Sequence, residues 1–260
     1  MSQPIGSQRV GIAGITGRMG RLLAEEVPAA GATLIGGTNS GKPAPAGIAL
    51  FPDLASLAAA ADVVIDFTHA STAQANAAIM AKSGKTWVLG SSGLSAADEG
   101  AVEAAARSIP VIHAANFSAG VNLVLALCER MGAALPADVY DAEIVEMHHR
   151  QKVDAPSGTA VGMGRAVAKG RGRKLEDVMV SGRHGHTGPR PTGAIGFAAL
   201  RGGQVVGEHT LIFASGTEHI ALTHQAFDRR AYATGAVQAA LWVEGKPPGL
   251  YSMMDVLGMK

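Results

Sequence analysis

The densest run of chemistry-bearing side chains begins at Glu146 and reads E-M-H-H-R-Q-K-V-D-A-P-S-G-T-A. From His148 to Arg190 nine Lys/Arg face three Asp/Glu, a local excess of +6 in a chain whose net charge is +1. Such a local concentration suits a small polyanion. His148 and Lys152 stand four apart, which puts them on one side of an extended or a helical backbone; His148 and His149 point to opposite faces if a strand runs that far. P-S-G-T-A then opens an alanine-rich helix, so the N–H groups of Gly158 and Thr159 sit at a helix N-terminus, a seat suited to a carboxylate. A histidine and a lysine beside that seat can deliver a proton to an atom that gains electron density on hydride addition.

The second constellation is V-G-I-A-G-I-T-G-R-M-G-R-L-L-A, in which Gly14, Gly17 and Gly20 follow a β-branched run and open a helix. A strand, a tight turn and a helix N-terminus present unpaired N–H groups to a pyrophosphate. The spacing is G-x-x-G-x-x-G, with Thr16 where the dinucleotide fingerprint carries its middle glycine. After the next strand the chain offers Asn39, Ser40 and Lys42 and no carboxylate for a ribose 2′-hydroxyl. NADPH is therefore expected to be accepted, with Arg18 or Lys42 as cationic partners of a 2′-phosphate; NADH stays open.

These residues need elements to position them. Up to about residue 118, β-branched runs (Arg9 to Ile15, Thr33 to Gly36, Val63 to Phe67, Trp87 to Leu89, Val111 to His113) alternate with alanine-rich helical stretches. That is the pattern of βαβ units and a parallel sheet. Helix starts are signalled by Asp53, by Ser71 and Thr72, and by Ser95 with Asp98 three residues on. From Val121 a long apolar helix leads to a half-buried strand, Val139 to His149. A helix from Gly158 to Lys169 precedes the strands Gly193 to Leu200, Val205 to Ala214 and His219 to Ala226, the last two forming a hairpin around Ser215-Gly216. The expected fold class is α/β: an N-terminal Rossmann-like parallel sheet and a second α+β domain on a mostly antiparallel sheet. Arg230 to Val243 is helical again, and the closing segment reads as a loop with a short helical end.

Composition excludes several classes. At 260 residues, 47% hydrophobic and 17% charged, the chain is a well-buried globular protein. The balanced charge provides no global field for nucleic acid or membrane, and 4% aromatics is a poor base-stacking platform. No signal peptide and no membrane span is read. The single Cys128, in an apolar stretch, reads as a buried hydrophobe, and a reducing cytoplasm fits. His184 and His186 form H-G-H, and seven of nine histidines lie between His148 and His224. Without nearby Cys or an H-E-x-x-H motif, no metal site is assigned.

Across nearly its whole length the chain resembles the 4-hydroxy-tetrahydrodipicolinate reductase (dihydrodipicolinate reductase) family. The resemblance rests on G-I-T-G-R-M-G from Gly14, D-F-T from Asp66, G-S-S-G from Gly90, A-A-N-F-S-A-G-V-N from Ala114, the segment from Glu146, G-H-T-G from Gly185 and G-E-H-T from Gly207. The central H-H-x-x-K-x-D-A-P-S-G-T segment is the most specific of these. The resemblance implies that His148 is the proton donor/acceptor, Lys152 the second proton donor, and His149, Gly158 and Thr159 substrate-binding. It implies cofactor binding by Gly14, Ile15, Thr16, Gly17, Arg18 and Met19, by Gly90, Ser91 and Ser92, and by Ala114, Ala115, Asn116 and Phe117. Asn39 stands where family members often carry an acid, which puts the usual NADH preference in doubt. Further implications are NADH or NADPH as cofactor, a small dicarboxylate substrate in the diaminopimelate route to lysine, and a homotetramer. The resemblance also implies a split chain, with residues 1–118 and 229–260 binding the dinucleotide and 119–228 binding substrate and forming the oligomer. The rivals are a non-catalytic dinucleotide sensor, which would leave the basic constellation without a purpose, and a reductase of another small dicarboxylate or imine.

Overall fold

The computed structural model describes residues 8–39, 41–44 and 46–259; Ser40 lies outside them. By contacts the chain forms two units, one of Met1–Ala119 with Arg230–Lys260, the other of Gly120–Arg229.

The first unit holds a seven-stranded sheet of β1 (Arg9–Ala13), β2 (Thr33–Thr38), β3 (Leu50–Phe51), β4 (Val63–Asp66), β5 (Thr86–Leu89), β6 (Pro110–His113) and β12 (Gly249–Tyr251). Its order is β12-β6-β5-β4-β1-β2-β3, and every pairing is parallel. Parallel strands need crossovers, which here are helices that cover both faces. Alternate strand residues serve opposite faces. Val10, Ile12, Val63, Ile65, Val88 and Ile112 pack on α1 (Arg18–Ala29), α8 (Arg230–Trp242) and α9 (Met253–Val256). Ala13, Val64, Trp87, Leu89 and Val111 pack on α2 (Leu54–Ala60), α3 (Ala73–Ser83) and α4 (Ala96–Ala106). Asp53 caps α2 through the Ser56 N–H, and Ser95 with Asp98 forms a capping box on α4, as their spacing predicts. A short 3₁₀ turn, Ala70–Thr72, precedes α3.

The sheet switches direction between β1 and β4, since β2 and β3 lie on one side and β5, β6 and β12 on the other. Ligands of open α/β sheets bind outside the carboxyl ends of strands at such a point. Two short strands depart from the sequence expectation. The loop-like G-L-Y becomes β12 by pairing with β6, and Leu50–Phe51 adds β3 beyond β2.

The second unit contains α5 (Ala119–Ala134, shared at its first residue), β7 (Asp141–His148), α6 (Gly158–Gly170), α7 (Leu175–Val178), β8 (Met179–Ser181), β9 (Ile195–Arg201), β10 (Gly207–Ala214) and β11 (His219–Ala226). The sheet order is β11-β10-β7-β9-β8. β10 is antiparallel to both β11 and β7, the expected hairpin included, whereas β7–β9 and β9–β8 are parallel. The sheet is thus mixed, mostly antiparallel by paired residues. One face packs Ala142, Ile144, Phe197, Leu211 and Phe213 on Val124, Cys128, Met163 and Val167 of α5 and α6. Burial pushes the Cys128 thiol up to about 12, so it behaves as an apolar side chain. Among the described residues no helix is long and apolar enough to cross a membrane.

Candidate active site

In the first unit the predicted ligand loops all follow carboxyl ends of strands. Gly14 leaves β1 with φ +74°, a conformation that favours glycine, and its carbonyl accepts the Gly17 N–H at 2.9 Å. Gly17 precedes α1 with no side-chain cap, and the Arg18 and Met19 N–H groups meet no acceptor among the described residues. Gly20 lets the helix seat directly beneath the turn: a Cβ there would lie 2.4 Å from the Gly14 carbonyl oxygen and 2.6 Å from Ile15 backbone atoms. An uncapped helix start with no acidic residue in its first turn fits a pyrophosphate. The residues present therefore fit a nicotinamide dinucleotide.

Ile15 is fully buried and its N–H donates to the Thr38 carbonyl, so its side chain is core. Thr16, also buried, donates its hydroxyl to Asn39 Oδ1 at 3.0 Å. The same Oδ1 accepts the N–H of Gly41 and Lys42 at 2.8 and 3.1 Å. Asn39 therefore shapes the loop after β2 with its oxygen and keeps its amide N–H₂ for other partners. Arg18 and Lys42 are exposed.

A buried carboxylate organises the neighbouring loops. Asp66, fully buried at the end of β4, accepts the Thr68 N–H and hydroxyl at 2.9 and 2.6 Å, Asn76 Nδ2 at 2.9 Å and Trp87 Nε1 at 3.2 Å. The Thr68 carbonyl in turn accepts the Ser91 hydroxyl at 2.6 Å, and the Asp66 carbonyl accepts the Gly90 N–H at 2.8 Å. Ser91 is buried and Ser92 exposed. After β6, the Ala114 N–H donates to the Leu89 carbonyl, Ala115 is exposed, Asn116 Oδ1 accepts the Ser118 N–H, and Phe117 is core, 5.6 Å from the Phe67 ring.

In the second unit the chemistry gathers around Glu146, which is 1% exposed. Its Oε2 accepts His148 Nδ1 at 2.7 Å and Arg201 Nη1 at 2.8 Å; its Oε1 accepts Arg201 Nη2 at 2.9 Å and the Ser157 N–H at 3.1 Å. Burial pushes the Glu146 carboxyl up, but the Arg201, His148 and Ser157 donors outweigh it and hold it below the ordinary carboxylate range. Ser157 caps α6 by accepting the Ala160 N–H at 3.2 Å, and its hydroxyl meets His209 Nε2 at 2.9 Å. The Gly158 and Thr159 N–H groups have no acceptor among the described residues.

His209 is 4% exposed and packs edge-on against the His148 ring, centroids 5.1 Å apart. Burial, with the charges of His148, His224 and Lys152, drives its pKa down to about 4, so it is neutral at working pH, and its tautomer decides which partner donates in the bond to the Ser157 hydroxyl. His224 sits opposite His209 across the β10–β11 ladder and is also lowered by burial.

The strand ends at His148 rather than His149, and the chain turns, with the Lys152 N–H donating to the His149 carbonyl at 3.1 Å. The argument from a four-residue spacing therefore does not apply; Lys152 is placed by that turn. Its ammonium holds Asp154 through both oxygens at 2.8 and 2.9 Å, which lowers the Asp154 carboxyl. His149 is half-buried, and His184 and His186 lie on an exposed loop.

Glu146, Ser157, Arg201 and His209 carry no role in the sequence reading. The signal for Glu146 was present: on a strand it shares a face with His148 two residues on, continuing Ala142 and Ile144. Arg201 reaches the site through the β7–β9 register, where it stands opposite His148.

Comparison with known proteins identifies the family. Residues 8–117 match the family model described as dihydrodipicolinate reductase, N-terminus, and residues 120–257 its C-terminus. The 4-hydroxy-tetrahydrodipicolinate reductase of Granulibacter bethesdensis is 68% identical over 98% of both chains. That of Gluconacetobacter diazotrophicus is 62% identical over 96% of this chain and 97% of its own. The fold is similar to a dipicolinate-bound dihydrodipicolinate reductase from Paenisporosarcina sp. TG-14, with a TM-score of 0.79 and 23% identity over 96% of this chain and 98% of the other. The chain belongs to the dihydrodipicolinate reductase family, the NAD(P)H-dependent 4-hydroxy-tetrahydrodipicolinate reductases of lysine and diaminopimelate biosynthesis.

Proposed function

We propose that in this chain the first unit, residues 1–118 and 229–260, carries the cofactor and the second, residues 119–228, the dicarboxylate and its proton donors. When bound, NADH or NADPH supplies the hydride that adds at C4 of the substrate ring once the 4-hydroxyl has left as water, giving tetrahydrodipicolinate. The N–H groups of Arg18 and Met19 and the loops at Gly90–Ser92 and Ala114–Phe117 orient that cofactor. The substrate carboxylates are held by the Gly158 and Thr159 N–H groups, His149 and Lys152, with Lys152 exchanging Asp154 for substrate. As negative charge develops on the ring, Lys152 and His148 stabilise it and deliver the balancing proton.

The observation that carries this reading is the division of the Glu146 carboxylate. One oxygen fixes His148 by Nδ1, leaving Nε2 for the substrate, and the other holds the Ser157 N–H beside the free amides of α6. The test is steady-state kinetics of Lys152→Ala and His148→Ala. Each is expected to lower kcat by about 10²-fold or more while cofactor affinity changes little. An unchanged kcat in either variant removes that residue from the chemistry.

The uncovered face of the second sheet places Val145, Met147, Ala198, Leu200 and Ile212 on one side, which supports association through that sheet. We assign a cytoplasmic homotetramer; a solution mass other than four times 26.4 kDa refutes that state.

A further inference from the structure

We propose that Glu146 and Arg201 act as an opposed pair of positioning residues that set the proton affinity of His148, one raising it and the other lowering it. The assignment rests on His148 being the proton donor.

The geometry supports it atom by atom. Both donors converge on a single oxygen: His148 Nδ1 at 2.7 Å and Arg201 Nη1 at 2.8 Å from Glu146 Oε2. Arg201 stands opposite His148 on the adjacent strand β9, so its cation is fixed beside the imidazole that the carboxylate holds. Glu146 is 1% exposed on its side chain, His148 11% and Arg201 22%, so solvent screens the trio poorly. An anion at this distance favours the imidazolium, and a cation disfavours it.

The remaining groups around His148 leave that opposition in control. From β10, His209 contributes a ring edge and stays neutral. From the turn after β7, Lys152 is paired with Asp154 at 2.8 Å, and both substitutions leave that pair in place. At the start of α6 the neighbour is the N-cap Ser157, whose side chain is uncharged and whose backbone N–H donates to Glu146 Oε1. Arg201 is further tied to the Asp154 carbonyl at 2.6 Å, which holds the guanidinium in place.

The experiment compares Glu146→Gln and Arg201→Gln with the parent enzyme in two readouts. The first is the basic limb of kcat/KM against pH, the limb on which a proton donor is lost. The second is the His148 titration followed by ¹⁵N NMR of its ring nitrogens, which needs no activity. Glu146→Gln is expected to move both to lower pH and Arg201→Gln to higher pH, each by about one unit or more. Shifts in the same direction, or none in either variant, overturn the assignment, because a merely structural role has no reason to oppose them. His148→Gln separates this from the reading beneath it. Loss of the basic limb in that variant supports His148 as donor; a limb that survives there overturns the donor role, while the NMR titration still decides the Glu146–Arg201 pair.

Discussion

Substitution of Gly20 by alanine tests the cofactor cradle at its tightest point. The added Cβ would lie 2.4 Å from the Gly14 carbonyl oxygen and 2.6 Å from Ile15 C and Cα, all backbone atoms that cannot rotate away. Restoring even 3.0 Å to the closest contact requires a displacement of at least 0.6 Å between α1 and the turn above it. Ile15 anchors one side of that turn in the core, and its N–H is bound to Thr38 at 3.0 Å, so the strain falls on the Gly14–Gly17 bond and the α1 start. Overpacking of this kind costs about 1–3 kcal/mol, and every ~1.4 kcal/mol withheld from binding is tenfold in affinity. Fluorescence titration with NADH and NADPH should show a Kd raised roughly 5- to 100-fold for both. Affinity for a planar dicarboxylate inhibitor should be unchanged, because its proposed seat is at α6. Parent-like affinity for both cofactors in a folded Gly20→Ala protein would refute the placement of the pyrophosphate at this turn.

Other outcomes follow from single residues. Asn39→Asp retains the oxygen that accepts from Thr16, Gly41 and Lys42 but adds a charge beside the proposed ribose; kcat/KM for NADPH should fall about tenfold while that for NADH holds or rises. An equal effect on both cofactors would sink the idea. His209 has its folded pKa lowered to about 4 from an ordinary 6.5, so the unfolded state binds the proton first as pH falls. Its stability contribution is whole above pH 6.5 and is lost on descending to about 4, to a ceiling of about 3 kcal/mol. Denaturant titrations across that window should show a smaller loss for His209→Gln than for the parent, and parallel losses would contradict the burial argument.

Much of this was legible because local chemistry and global fold agree. β4 reads as V-V-I-D because a central parallel strand buries both faces, and the glycine turn is visible because the φ of Gly14 favours glycine and the approach at Gly20 leaves no room for a Cβ. The capping residues Asp53 and Ser95 announce their helices by side-chain type alone. What escaped depends on partners distant in the chain. Gly249–Tyr251 has no strand signal of its own and is a strand because β6 offers it an edge. The parallel placement of β9 beside β7 is set by the crossover through α6, α7 and β8, which periodicity does not encode. Arg201 joins Glu146 by register across that same pairing, and His209 reaches Ser157 from β10, so neither could be assigned from spacing. The four-residue spacing that paired His148 with Lys152 does not carry over to the fold, because the chain turns after β7.

The most direct test of the central claim follows oxidation of NADH and of NADPH at the reduced-nicotinamide absorbance, with 4-hydroxy-tetrahydrodipicolinate generated in situ by the preceding synthase. The account predicts rapid, substrate-dependent oxidation by the parent protein with at least one cofactor, and its near loss in Lys152→Ala. No oxidation with either cofactor, while both still bind, would contradict it.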